Sequence, residues 1–301
     1  MCIRDRFVHW PEAAAQGSRP WQQKASFNLF LLTLDVFRRR GGKAAWIFHN
    51  KLPHSKQDLP MDRFAKRVDV LLSPSHIGLE LATQMYPCLG DVPSGVSRLG
   101  RYDESYSTAP NSTPGEEQKL RDDQTVVINF GHIRRYKGLE DLLSAASSAS
   151  CEELSVVVIG EVHDADYGKE LEALSSTLPN VQLKLGFMDS AELASNLSAA
   201  DAAVFSFTDV LHSSSLLLAR SAGLPVLAPA IGSLPEYAEL DSGLHLYEGL
   251  LTGEDLDNFA EQIGHAEGHR QFPADLEWTN IGPEIARLLE QVLHSDNGET
   301  P

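Results

Sequence analysis

The fourteen residues Thr125–Gly138, TVVINFGHIRRYKG, constrain this chain most. Thr125, Val126, Val127, Ile128 and Phe130 are β-branched or apolar and read as a buried strand. Gly131 breaks that strand, and Arg134, Arg135 and Lys137 follow before a helix expected near Leu139. Strand, glycine turn and helix in this order are the makings of a parallel α/β sheet, whose ligands bind outside the carboxyl ends of the strands. Three positive charges at such an end point to an anionic ligand, and the phosphates of a nucleotide suit that chemistry.

The same alternation continues downstream. Strands are expected at Leu154–Ile159, Val181–Leu185, Ala202–Phe207 and Pro225–Leu227, with helices near Tyr167–Leu174 and Ala191–Leu197 between them. Ser213, Ser214 and Ser215 head a further helix that Gly223 and Pro225 stop, and Gly232 marks a turn. Five or six βα units in succession make a Rossmann-like domain. Upstream, Phe27, Leu29, Leu31, Leu32, Leu34 and Phe37 recur at a helical period over Trp21–Arg40, which ends at Gly41 and Gly42. A strand at Ala44–Phe48 then delivers His49 and Asn50 to a loop with Pro53 and His54. Another strand at Val68–Leu72 leads through Ser73, Pro74 and Ser75 into a helix over Ile77–Tyr86. The first recognisable element, Phe7–Glu12 (FVHWPE), reads as the end of a strand, so this domain is expected to lack its front. The polar residues from about 100 to 123 have a linker composition. The expected fold class is therefore α/β with two Rossmann-like domains: 1–110, a linker at 111–124, 125–275, and a closing helix and tail at 276–301.

Charge is divided unevenly. Residues 1–100 hold 14 Lys and Arg against 8 Asp and Glu, a balance of +6, while the rest hold 11 against 34, a balance of −23. The sum of −17 argues against a general nucleic-acid binder. A basic first half suits a phosphorylated acceptor or peripheral contact with an anionic bilayer, although Arg38, Arg39, Arg40 and Lys43 equally complement a helix C-terminus. No apolar run approaches the ~20 residues of a membrane span, and no leader pattern is present at the N-terminus. A cytoplasmic location, with the inner membrane face as the surface of any peripheral contact, is the expectation. Cys2, Cys88 and Cys151 lack C-x-x-C spacing and indicate neither a disulfide framework nor a zinc knuckle.

A serine-capped helix N-terminus attracts anions, so one diphosphate is expected to meet both Lys137 and the helix after Ser213–Ser215. His212, directly before the cap, is placed to touch the same phosphate or to lie on the surface. Asp164-Ala165-Asp166 reads as a helix start.

Here the motifs carry a resemblance. Gly131–Gly138 (GHIRRYKG), Ala219–Pro229 (ARSAGLPVLAP) and Gly232–Glu236 (GSLPE) resemble the donor-binding domain of the GT-B glycosyltransferases of the family 4 type. Val8–Glu12 (VHWPE), Trp46–His54 (WIFHNKLPH) and Leu71–Ser75 (LLSPS) are similar to the acceptor-side domain of that fold, and the terminal helix with Trp278 to the segment that crosses back to it. The resemblance implies two domains facing a cleft and transfer of a sugar from a UDP- or GDP-sugar to a glycan or lipid-linked acceptor, retaining and metal-independent, with no cofactor beyond that donor. It implies that His9 approaches the reacting centre and His49 stands at the next strand end, both as catalytic residues. It assigns the donor phosphates to Gly131, Arg134, Lys137 and Ser213–Ser215, with Arg134 replacing the arginine that His132 displaces. The family's two glutamates that hold sugar and ribose fall on Val210 and Leu218, neither of which accepts a hydrogen bond. Ser213–Ser215 are candidates to take over that role, and Glu236, expected in a loop after Pro235, is another candidate hydroxyl acceptor. The alternatives are an inert GT-B-like nucleotide-binding or scaffold protein and a sugar-nucleotide epimerase, for which no cluster of acids is evident.

Overall fold

Every strand pairing among the described residues is parallel, as expected for strands that run apolar on both faces. The computed structural model describes residues 5–50, 59–102, 124–264 and 271–294. The loop with Pro53 and His54, most of the expected linker and the last residues lie outside them.

In chain order the elements begin with β1 (Asp5–Val8), α1 (Pro20–Arg39), β2 (Lys43–Ile47), α2 (Met61–Ala65), β3 (Val70–Ser73), α3 (His76–Met85) and β4 (Ser94–Val96). There follow β5 (Thr125–Phe130), α4 (Leu139–Ser148), β6 (Leu154–Gly160), α5 (Ala165–Ser175), β7 (Val181–Leu185), α6 (Ser190–Ser198) and β8 (Ala202–Val204). The chain closes with α7 (Ser214–Ser221), β9 (Val226–Pro229), α8 (Leu234–Ala238), β10 (Leu244–Tyr247), α9 (Gly253–Gly264) and α10 (Trp278–His294). It divides into two units, one of residues 1–98 with 278–301 and one of residues 99–277.

The first unit holds a four-stranded sheet in the order β1-β2-β3-β4. Ala45, Val70 and Leu72 of that sheet pack against Ile285, Leu288 and Leu289, which α10 brings back to it. Gly95 leaves room there for the Leu288 side chain, whose end a Cβ at that position would displace. Ser75 caps α3 by accepting from the Gly78 N–H at 3.0 Å. In α1 the helical period separates two faces. Phe27, Leu31 and Leu34 are buried, whereas Leu29 and Leu32 are 65% and 61% exposed. At 100° per residue, positions 29, 32 and 36 share the opposite face.

The second unit is a six-stranded sheet in the order β10-β9-β8-β5-β6-β7. The chain builds outward from β5 through β6 to β7, then returns to the other side of β5 and builds outward again through β8, β9 and β10. The reversal lies between β5 and β8, and in such sheets the crevice at the carboxyl ends beside the reversal is the ligand site. Alternation within β5 fills two cores: Val127 joins Leu139, Leu142, Leu143 and Phe259 on one face, and Ile128 and Phe130 join Phe205, Leu216 and Leu217 on the other. All seven residues of β6 are buried, each large apolar one contributing about 1.5–3 kcal/mol.

Two departures from the sequence reading have local causes. The strand expected to run to Phe207 stops at Val204, because the Thr208 N–H donates to the Tyr136 carbonyl at 2.9 Å and draws the chain toward the cationic turn. Residues 99–102, expected in the first domain, belong to the second unit. The Leu99 N–H donates to the Tyr237 hydroxyl, Arg101 N–H to the Leu276 carbonyl, and Tyr102 N–H to Ser221 Oγ at 2.9 Å.

Candidate active site

The turn after β5 is held in place on two sides. Gly138 adopts the left-handed conformation (φ 60°, ψ 38°), and a Cβ there would collide with the Ser206 carbonyl. Ser206 Oγ donates to the Lys137 carbonyl at 2.9 Å. These contacts fold Lys137 inward until its side chain is only 6% exposed. Its ammonium lies 4.9 Å from the ring centroid of Phe207 and 5.8 Å from that of Phe205, rings that stack on each other 5.2 Å apart. Among the described residues Lys137 forms no ion pair. Burial, helped by repulsion from Arg134, pushes its pKa down to about 8. An ammonium kept dry beside a second cation and without a carboxylate is a site waiting for an anion.

Gly131 shows where that anion would sit. Its φ is +109°, and a Cβ built on it would lie 3.0 Å from Ser215 Oγ and 3.4 Å from Lys137 Nζ. The missing side chain therefore leaves a small space with a hydroxyl and an ammonium on its rim. Ser213 caps α7, its Oγ accepting from the Leu216 N–H at 3.2 Å, so this oxygen is already engaged and only its O–H is left to donate. The N–H groups of Ser214 and Ser215, the first two of α7, make no hydrogen bond among the described residues. Ser214 and Ser215 are thus the better phosphate ligands of the three serines. His212 is half-buried just ahead of the cap.

The three cations of the turn are not equivalent. Arg134 is exposed and forms no ion pair among the described residues. Arg135 is committed elsewhere: it forks onto Glu170 at 2.9 and 3.0 Å and covers the Tyr167 ring at 4.7 Å. That commitment agrees with its absence from the assigned phosphate ligands. Tyr167 in turn donates to Glu140 at 2.7 Å, and burial and that carboxylate raise its pKa. Val210 and Leu218 pack against the core, as apolar residues must. Glu236 is in the first turn of α8, not in a loop as expected; Pro235 at the start of that helix fixes it. Gly232 positions α8, since a Cβ there would collide with the Val210 carbonyl, and the Ser233 N–H donates to the Leu211 carbonyl at 3.0 Å. The segments bearing Glu236 and Ser213–Ser215 are therefore bound to each other.

In the first unit, His9 follows β1 and His49 follows β2. Their rings stack with centroids 5.1 Å apart, and His9 Nδ1 lies 2.8 Å from His49 Nε2. Trp10 stacks on His49 at 5.6 Å. A pocket bounded by this pair is lined also by Glu12, Trp46, Phe48 and Tyr86. Trp10, Trp46 and Tyr86 were not singled out by sequence reasoning, although the first two lie within the motifs that carry the resemblance.

A family model described as glycosyl transferases group 1 matches residues 114–274. The chain belongs to that family. Over 294 residues it is 25% identical to a GDP-mannose:glycolipid 4-beta-D-mannosyltransferase of Xanthomonas campestris pv. campestris, covering 96% of this chain and 80% of the relative. The fold is that of the Anabaena HepE protein solved with UDP and glucose (TM-score 0.66, 18% identity, 90% of this chain and 77% of that one). It is also that of a sucrose-phosphate synthase from Thermosynechococcus elongatus (TM-score 0.67, 16% identity, 97% and 74%). The fold is thus the two-domain GT-B architecture, and this glycosyltransferase is a hexosyltransferase that draws on a nucleotide-sugar donor.

Proposed function

We propose that this glycosyltransferase moves a hexose from a GDP- or UDP-sugar to a glycolipid or lipid-linked glycan without a catalytic metal. The buried Lys137 ammonium, which has no counter-ion among the described residues and faces Ser215 across Gly131, carries the proposal. As the sugar leaves, negative charge develops on the diphosphate. Lys137, Arg134 and the amides of Ser214 and Ser215 are fixed donors for that charge, and preorganised donors in a dry site need no metal to stabilise it. Glu236 is assigned to a donor hydroxyl and His212 to the phosphate edge. His9 and His49, sharing one N–H between them at the strand ends of the first unit, are assigned to proton movement at the acceptor. GDP-mannose is the first donor to try, because the curated relative named above uses it by name. A cytoplasmic location with peripheral contact at an anionic bilayer is part of the proposal. The +6 balance of residues 1–100 and the apolar face of Leu29, Leu32 and Val36 support it. Among the described residues no helix is long and apolar enough to cross a membrane.

The test is calorimetric titration with GDP, UDP and their sugars, followed by product analysis on a glycolipid acceptor with and without chelator. Wild type is expected to bind one nucleoside diphosphate and to form product, and Lys137→Ala to bind it about 1.5–3 kcal/mol more weakly. Absence of nucleotide binding would sink the donor site. Binding with neither transfer nor hydrolysis would instead favour an inert module, and loss of transfer with chelator would remove metal independence.

A further inference from the structure

We propose a binding site for one divalent transition-metal ion, Zn2+ being the best fit, formed by His132, Glu161 and His163. His132 Nδ1 lies 2.9 Å from His163 Nε2, and Glu161 Oε2 lies 3.8 Å from the first and 3.9 Å from the second. Two donors bound to a tetrahedral zinc at its usual bond lengths are about 3.4 Å apart. The triangle observed brackets that value, and small rotations of exposed side chains close the difference.

The backbone sets this arrangement. Beyond β5 and β6 the two chains continue as a parallel bridge between Ile133 and Val162, with the Ile133 N–H donating to the Glu161 carbonyl at 2.9 Å. Ile133 is buried and Val162 packs against the same core. Extended backbone alternates its faces, so the flanking residues His132, Glu161 and His163 all turn to the other side. All three are exposed and their ligand atoms lie within 4.8 Å of one another. Two sides of the scaffold restrict movement. Gly160 lets β6 approach so closely that a Cβ on it would collide with the Gly131 carbonyl, and Asp164 caps α5 one residue after His163.

The donor set selects the ion. Two imidazole nitrogens and one carboxylate oxygen suit Zn2+ and its first-row neighbours, whereas Mg2+ and Ca2+ require oxygen ligands in larger number. The two rings share one N–H across 2.9 Å; for both facing nitrogens to bind an ion, the donor ring moves that proton to its other nitrogen. A fourth position stays open to water, as in three-ligand zinc sites. The ion would tie the two strand-end loops together, one of them carrying Gly131, and no step of sugar transfer is assigned to it. The site is independent of the donor reading above.

Chelator-treated full-length protein is titrated with Zn2+ and, separately, with Mg2+ by calorimetry. The expected result is about one equivalent of Zn2+ that Mg2+ does not replace. Its affinity should fall more than roughly tenfold in Glu161→Gln, because even outer-shell changes cost that much. It should vanish in the His132→Asn/His163→Asn double variant, whose folding is checked by circular dichroism. The second histidine pair is the internal control, so His49→Ala should keep the equivalent. No zinc binding by wild type, retention of the equivalent in the double variant, its loss in His49→Ala, or equal affinity for Mg2+ would each overturn the assignment.

Discussion

Lys137 is held in conflict with its surroundings, and the conflict has a pH signature. Its pKa in the folded protein is about 8, below the 10.5 of a free lysine. Between those values the unfolded chain keeps a proton that the folded one has lost, so this residue makes stability rise as pH rises through that window. Below about 8 the folded protein carries a buried, unpaired charge. Replacing Lys137 by Met should therefore stabilise the ligand-free protein at pH 7 by on the order of 2 kcal/mol, read from urea unfolding, while weakening diphosphate binding. Diphosphate affinity in wild type should fall as pH rises past about 8, since the neutral amine loses its attraction for phosphate. A flat affinity profile from pH 7 to 9.5 would remove Lys137 from the binding site. Sequence alone singled out Lys137, because a cation after a strand-end glycine has a definite place in this fold. It set Arg135 among three charges but did not retain it as a phosphate ligand; the fork onto Glu170, which lies in another helix and is not legible locally, supplies the physical reason. The burden on Ser213 was likewise divided only by the cap, which places its oxygen on Leu216 and leaves the amides of Ser214 and Ser215 open.

At the scale of elements, the end of α7 is anchored by an ion pair with no access to water. Arg220 is fully buried and forks onto Asp241 at 2.7 and 2.8 Å, also donating to the carbonyls of Leu224 and Gln271. Asp241 accepts in addition from the Gly243 N–H at 3.0 Å, so one pair ties α7 to the turn before β10. Removing one partner strands a charge in the core. Arg220→Ala should cost about 3–5 kcal/mol in urea unfolding, and Arg220→Met with Asp241→Leu much less than the sum of the single changes. Additive costs would show that the pair is not coupled. The element reading from sequence succeeded where apolar runs were long, as in β5 and β6. It missed β10, only four residues long with Leu244 and Tyr247 buried and His245 and Leu246 half-buried. It also passed over α9, whose Leu256, Phe259, Ala260 and Ile263 follow the i, i+3, i+4, i+7 pattern of a buried face and were legible in principle. The exposed face of α1 was not legible: periodicity finds a helix, but a second apolar stripe on it says nothing of which stripe the core will take.

On the scale of the whole molecule, the expected change of domain near residue 110 comes instead at Leu99, because composition marks where a chain is polar and not where its backbone is hydrogen-bonded. The Leu99, Arg101 and Tyr102 amides all find partners in the second unit. The other crossing, at Trp278, makes the first unit depend on residues from the far end of the chain. Ile285, Leu288 and Leu289 of α10, themselves partly buried, cover Ala45, Val70 and Leu72, and losing the three removes up to about 1.5–3 kcal/mol of apolar burial for each. That is comparable to the whole stability of an ordinary domain. The second unit keeps both of its own cores, Lys137 and the start of α7 without that helix. A chain ending at Glu277 should therefore lose one of two calorimetric unfolding transitions while titrating with nucleoside diphosphate at close to the full-length affinity. Retention of both transitions would show that α10 does not hold the first unit together. Loss of nucleotide binding would show instead that the donor site depends on residues outside 99–277.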